Sequence, residues 1–335
     1  MGGNKARDIV LAGDIGGTKT RLGLFRRTEA RPQALAIESY SSQAASGLEE
    51  MIAHFLMQHD KPISGACFGI AGPVIDGRCK VTNLSWEASE DDLRRQFKVK
   101  NVRLINDLSA TGLAIPLLED SELLALTPAR TKPQGNVGLL APGTGLGVSL
   151  LVRQGDRLIP IPSEGGHVDF APRSEDEFEL WRYLRGNFGH VSVEKIASGP
   201  GILAIYTWLK ERGGHEEPSW LREKMERVES PIAISEAAIQ AKEPLCVETL
   251  NYFVSILGAT AGNLALTGMT TGGMYLGGGI CPKILPKLKE NIFMEAFTDK
   301  GRFKDLLSAI AIHVILDDKA ALLGAAWCAG EYSES

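Results

Sequence analysis

The chain has 335 residues, 44% hydrophobic and 23% charged, the proportions of an ordinary folded protein of about two domains. Its 36 basic and 41 acidic residues leave a net charge of −5, which gives no basic footprint for nucleic acid or for an anionic membrane surface. The five cysteines (Cys67, Cys79, Cys246, Cys281, Cys328) are dispersed without a C-x-x-C pair, which argues against a disulfide framework or a cysteine zinc site and for a reducing, cytoplasmic compartment. Glycine is in excess, 37 residues or about 11% against a usual ~7%, and it gathers in a few turns. The first residues hold no apolar leader, Ala6 stands where a myristoylation signal wants Ser or Thr, and the final Ser-Glu-Ser is no peroxisomal address. The sequon Asn83-Leu84-Ser85 is read as chance.

In chain order, the apolar run 9–12 leads to Asp14 and the turn Ile15-Gly16-Gly17-Thr18, and a second strand, 20–25, follows at once. Strand, glycine turn, strand is a hairpin, whereas Walker and dinucleotide loops lead from a strand into a helix, so neither motif is present. A polar loop at 26–36 precedes an amphipathic helix at 48–59 with Leu48, Met51, Ile52 and Phe55 on one face. Buried strands at 65–70 and 102–105 flank a polar helix at 89–97, with Ser89 as its N-cap. Small and apolar residues fill 110–118. A second hairpin is expected from 137–140, the turn Pro142-Gly143-Thr144-Gly145, and 148–152, so the same theme occurs twice.

The charged stretch 210–230 reads as an exposed loop with a mobile helix. From Thr249 to Pro282 no residue is charged, but glycines at 262, 268, 272 and 273 and the polar Asn251 and Asn263 argue against a membrane span. A buried helix at 250–268 and a strand at 274–276 fit better, with a further helix starting near Pro282. Residues 317–329 form a helix whose Gly324-Ala325-Ala326 face is smooth. This helix and 110–118 are hinge candidates, and a bulky residue at Gly324 is expected to slow turnover more than it unfolds the chain.

Several polar residues stand out from this background. Asp14 interrupts an apolar strand, and a buried carboxylate is costly unless paired or metal-bound. It reads either as a cap on its own turn or as a carboxylate aimed at a Mg2+–nucleotide, with Gly16 and Gly17 N–H groups and the Thr18 hydroxyl toward phosphate. Gly143, Thr144 and Gly145 offer the same service or form a plain β-turn. Gly277-Gly278-Gly279 either lets a ring or ribose lie on backbone or serves close strand–helix packing. Asn106-Asp107 ends a buried strand and opens a helix, so Asp107 is either a cap or a base for an attacking hydroxyl. Glu164 and His167, spaced across two glycines, suit a polyol, while a zinc reading lacks a third ligand nearby. By itself Glu194 reads as part of a surface Glu–Lys helix.

Together, Gly13-Asp14-Ile15-Gly16-Gly17-Thr18, Leu104-Ile105-Asn106-Asp107-Leu108, Ala141-Pro142-Gly143-Thr144-Gly145-Leu146-Gly147, Ser163-Glu164-Gly165-Gly166-His167, the segment from Val193 through Gly199, and Leu276-Gly277-Gly278-Gly279-Ile280 resemble the bacterial glucokinase family in order and spacing. The resemblance implies a two-domain α/β fold of the actin-like ATPase (ribonuclease H-like) type, each domain a mixed five-stranded sheet flanked by helices, with nucleotide and sugar in the interdomain cleft. A small domain would comprise 1–109 with 316–335, and a large one 110–315. It further implies Gly13 to Thr18 and Gly143 to Gly145 at the ATP phosphates, with Mg2+ held by Asp14 through water, and Gly277 and Gly278 at adenosine. Asp107 would be the catalytic base, and Asn106, Asp107, Glu164, His167 and Glu194 would hold glucose. A homodimer is implied as well. The related repressor-and-sugar-kinase group carries a Cys-rich zinc motif after its Glu-x-Gly-His segment, whereas here His167 is followed by Val-Asp-Phe-Ala-Pro. The alternatives are a kinase of another hexose or N-acetylated sugar, and a non-catalytic ATP-binding sugar sensor or assembly protein.

Overall fold

Two sheets with one plan organise the chain. The computed structural model describes residues 9–81, 84–129, 131–214 and 216–331; Asn83 of the sequon and both chain ends lie outside them. The contacts divide the chain into two units, one running up to Glu122 and resuming at Asp317, the other Leu123–Leu316.

The first unit is built on β1 (Ile9–Ile15), β2 (Lys19–Arg26), β3 (Gln33–Ser41), β4 (Gly65–Ile70) and, after a small hairpin of β5 (Arg78–Lys80) and β6 (Glu87–Ser89), β7 (Asn101–Asn106). Its five-stranded order is β3-β2-β1-β4-β7. Strands β1, β4 and β7 are parallel, and the hairpin partner β2 and then β3 run antiparallel. The β4 strand is buried along its whole length, as a central parallel strand must be. One face is covered by α1 (Leu48–Gln58), whose Leu48, Met51, Ile52 and Phe55 are buried as the periodicity requires, and by α2 (Glu90–Phe97) with Ser89 capping Asp92 N–H. The other takes α3 (Asp107–Ala114) and the last helix, Ala320–Glu331.

These two helices approach backbone to backbone. A Cβ on Gly324 would lie 1.8 Å from the Ala110 carbonyl oxygen, so Gly324 is a packing requirement and a side chain there costs folding directly. The expectation that turnover would suffer first does not fit this contact. The same packing explains why the chain divides at 122/123 while the sequence suggested 109/110: α3 lies on the last helix and on β4.

The second unit repeats the plan with β9 (Val137–Pro142), β10 (Leu146–Gln154), β11 (Arg157–Ile161), β12 (Gly273–Leu276) and β13 (Ile312–Ile315). Its sheet has six strands rather than the expected five, in the order β11-β10-β9-β12-β13-β8, because the short β8 (Leu123–Ala125) pairs antiparallel with β13 at the edge. Three residues with no alternation leave no strand signal in sequence. The uncharged stretch is a core helix, Pro244–Gly268, starting earlier than expected because Pro244 opens its first turn. It is long and apolar enough to cross a membrane, but 67% of its most apolar window is buried inside the protein. Near Pro282 the chain makes a 3-10 turn, Cys281–Ile284, before a short helix, Leu285–Leu288.

The described residues among 210–230 are mostly exposed and include a helix, as expected, but the segment is anchored to the fold. They close the helix Gly199–Arg212 and carry a second, Ser219–Arg227, whose Leu221 is fully buried. Glu217 sits between them, accepting bonds from Tyr206 Oη (2.8 Å), Lys210 Nζ (2.8 Å) and Arg222 Nε (2.9 Å).

Candidate functional site

In open α/β sheets, working groups gather beyond the carboxyl ends of the parallel strands. Both units follow this rule, and each holds its own part of the sequence-selected set.

In the first unit, Asp14 stands near the end of β1 and Asn106 ends β7, on the same edge of the sheet. Gly69 of β4 lies between them: a Cβ built there would fall 3.5 Å from Asp107 Cα and 3.7 Å from Gly13 O. Asp14 has a carboxyl pushed up to about 6, chiefly because burial disfavours its charged form, with Arg21 acting in the opposite sense. The Arg21 guanidinium lies 3.6 Å away, and Asp318, which also binds Arg21, shares its charge. Sequence reasoning missed Arg21, although the hairpin register pairs it directly with Asp14. Nothing in the sequence flagged Asp318, which lies 297 positions from Arg21.

The first turn also uses one of its own donors. Gly16 N–H is bonded to Lys19 O at 3.0 Å, which leaves the anion-facing role expected of this turn to Gly17 and the exposed Thr18. At the end of β7, Asn106 is the N-cap of α3, its Oδ1 accepting from Leu108 N–H (3.0 Å) and Ser109 N–H (3.3 Å) while Nδ2 donates to Gly72 O. The capping role considered for Asp107 therefore falls mainly to Asn106. One Asp107 oxygen accepts from Leu108 N–H at 2.8 Å, and its carboxylate sits in the first helical turn, where the helix dipole favours negative charge.

In the second unit the selected residues converge on one turn. Gly143 N–H bonds Gly145 O at 2.8 Å, and Gly143 O accepts from Gly199 N–H at 2.8 Å. Gly278 has φ +73°, and a Cβ on it would stand 2.4 Å from Pro142 O, so a residue without a side chain is needed on both counts. Gly277 N–H donates to Leu140 O at 2.7 Å. Glu164 and His167 flank a 3-10 turn, Gly165–His167, and both are exposed. Glu194 lies in another, Val193–Lys195, and is half-buried rather than on a surface helix. Its Oε2 accepts Leu146 N–H at 2.9 Å, and its Oε1 is 4.0 Å from His167 Nδ1. Thus Gly143, Thr144, Gly145, Glu194, His167 and Gly278 lie around one hairpin tip. The Glu194 tie to Leu146 was not legible, because 48 positions separate the partners.

One unit therefore offers Asp14 and a second carboxylate at a helix start, the other a hydrogen-bonded glycine turn with a carboxylate and an imidazole beside it, groups able to bond hydroxyls. The glucokinase family profile matches residues 11–332. The sequence is 39% identical to the glucokinase of Nostoc punctiforme, over 96% of this chain and 98% of that one, and 40% identical to that of Synechocystis with the same coverage. The crystal structure of a glucokinase from an Antarctic psychrotroph superposes with a TM-score of 0.84 at 30% identity, covering 97% of this chain and 99% of that chain. The mixed α/β architecture is shared with sugar kinases of the actin-like ATPase fold. On this combined evidence the chain belongs to the glucokinase family.

Proposed function

We propose that the protein transfers the γ-phosphoryl group of ATP to the 6-hydroxyl of glucose, giving glucose 6-phosphate and ADP. The observation that carries this reading is Asp107, a carboxylate in the first turn of α3, beside Asn106 and on the same sheet edge as Asp14. Asp107 takes the proton of the 6-hydroxyl as that oxygen bonds to the γ-phosphorus, and the bond to the β–γ bridging oxygen breaks, releasing ADP. Gly17 and Thr18 in the first turn, and Thr144 and Gly145 in the second, supply backbone donors to phosphate oxygens, where charge needs electrostatic support, while Gly16 and Gly143 N–H groups hold the turns in shape. Asn106, Glu164, His167 and Glu194 hold sugar hydroxyls, and adenosine lies at Gly277 and Gly278, of which Gly278 presents exposed backbone. An inverted or missing hydroxyl leaves such polar groups unpaired, which is how the sugar is selected.

Asp14 fits Mg2+. Its carboxylate is largely withdrawn from water, with the Arg21 guanidinium 3.6 Å away and Lys19 also favouring its charged form. Mg2+ takes most of its ligands from water and phosphate, so one protein carboxylate is enough to orient it. When bound with the nucleotide, Mg2+ would be held by Asp14 through water and would offset phosphate charge.

The test is ADP release from ATP·Mg2+ over a panel of glucose, mannose, fructose, galactose, glucosamine and N-acetylglucosamine. Glucose giving the highest kcat/KM supports the reading. Preference for another sugar overturns the substrate and keeps the chemistry, whereas no stimulation by any sugar overturns phosphotransfer.

A further inference from the structure

The assignment of Glu194 to sugar binding leaves its bond to the phosphate turn unexplained. Oε2 accepts Leu146 N–H at 2.9 Å, at the point where the turn enters β10. A Cβ on Gly145 would lie 2.5 Å from the same oxygen, so the turn and the carboxylate are packed as well as bonded. The other oxygen faces His167 at 4.0 Å, and the side chain is 27% exposed. One edge of the carboxylate is therefore fixed to backbone while the other is open. The chain just beyond is fixed to the same turn, because Gly199 N–H binds Gly143 O at 2.8 Å.

We propose that Glu194 is a positioning residue for the phosphate turn, holding Gly143 to Leu146 in the shape that binds the nucleotide and tying that shape to occupancy of the sugar site. The inference rests on the phosphotransfer reading above. A carboxylate has about four acceptor sites, so Leu146 N–H and a sugar hydroxyl are bound at once, on different oxygens. A bond to an ionised acceptor is among the strong ones, and it holds the turn before any sugar arrives. A hydroxyl on the open oxygen then fixes the remaining torsions of Glu194, and through Oε2 the turn is steadied further. Such coupling is reciprocal: whatever glucose adds to nucleotide affinity, nucleotide adds to glucose affinity.

Glutamine keeps an oxygen for Leu146 N–H, whereas alanine keeps none and aspartate falls one methylene short. The experiment is calorimetric titration of the full chain with the non-hydrolysable analogue AMPPNP and Mg2+, first without sugar and then at saturating glucose. Without sugar, Glu194→Ala weakens AMPPNP binding by roughly five- to tenfold and Glu194→Gln changes it by less than about twofold. A residue that served only the sugar would leave sugar-free nucleotide affinity untouched in both variants. In the wild type glucose tightens AMPPNP, and in Glu194→Ala that gain disappears. Should the alanine variant fail to fold, Glu194→Asp is read in its place with the same expectation. If Glu194→Ala, or its aspartate substitute, binds AMPPNP like the wild type without sugar, the positioning role is overturned while sugar phosphorylation stands. If the wild type binds no nucleotide, the phosphotransfer reading and this inference fall together.

Discussion

Asp14 and Glu194 are both half-buried carboxylates beside a glycine hairpin at the end of the first parallel strand of their sheet, yet they are held differently. Asp14 is desolvated and has Arg21 3.6 Å away, and its carboxyl is pushed up to about 6. Glu194 accepts a backbone N–H at 2.9 Å and is packed on the turn it serves. The first unit thus keeps charge at some cost to the fold, whereas the second keeps geometry through bonds that also hold the fold together. Function and stability should be separable in the first unit and inseparable in the second.

The largest effect expected is that of Asp107→Asn. Asparagine can still accept from Leu108 N–H through its oxygen, so α3 keeps the bond now made at 2.8 Å. What disappears is the proposed base and one charge at the helix start, so kcat should fall by about 10²–10⁴-fold, as measured by ADP release, with only a small loss of melting temperature. A large loss of melting temperature would break the comparison on the first unit's side. Gly278→Ala tests the other side. At φ +73°, with Pro142 O 2.4 Å from the new Cβ, the substitution should cost about 2–4 kcal/mol in denaturant unfolding and weaken nucleotide binding with it. Retained stability with nucleotide binding lost would show that the turn is less rigid than its bonds imply.

How much of this was legible in sequence follows the range of the interactions. The two hairpins, the helix with Leu48, Met51, Ile52 and Phe55 inward, and the Ser89 cap are local patterns, and each forms as the spacing dictates. Asp14, Asn106-Asp107 and the glycine turns stood out as polar or glycine breaks beside apolar runs, whereas Glu194 was singled out only by the family resemblance. What sequence could not supply was the partner of each: Asp318 for Arg21, Leu146 for Glu194, Ala110 for Gly324. These contacts span from 48 positions for Leu146 and Glu194 to 297 for Arg21 and Asp318, and only the folded sheets define them. The edge strand Leu123–Ala125 failed for a different reason, being too short to carry a period.

Asp14→Asn sharpens the contrast within the first unit. Because the folded carboxyl titrates near 6 rather than 3.8, its contribution to stability is complete below 3.8 and is lost as the pH rises through about 6. At pH 8 the wild type therefore carries the cost of a half-buried charge, at most about 3 kcal/mol for a shift of this size. Asparagine removes that cost, so the variant should be more stable than wild type by about 1–2 kcal/mol at pH 8 and no more stable at pH 4. Its affinity for Mg2+-nucleotide should fall at both. Thermal unfolding across pH, paired with AMPPNP titration, checks the two signs together, and a variant less stable at pH 8 would show that Arg21 needs Asp14 more than burial opposes it.

The smallest effect tests how far the rigidity of the second unit extends. Glu217 lies outside the hairpin network, with a side chain only 5% exposed. Burial alone would raise its carboxyl, but the bonds from Lys210, Arg222 and Tyr206 outweigh that and hold it down to about 2. Its stabilisation is therefore fully present above 4.5, the ordinary value, and is lost as the pH falls through about 2. Glu217→Ala leaves two exposed cations that water can solvate, and a buried Tyr206 hydroxyl that loses its acceptor. The expected cost at pH 7 is about 1–2 kcal/mol in denaturant unfolding, shrinking in acid, with KM for glucose and ATP unchanged. If both KM values rise instead, the bonds around Glu217 are part of what holds the hairpin, and the inseparability of function and stability reaches out to the helix Ser219–Arg227.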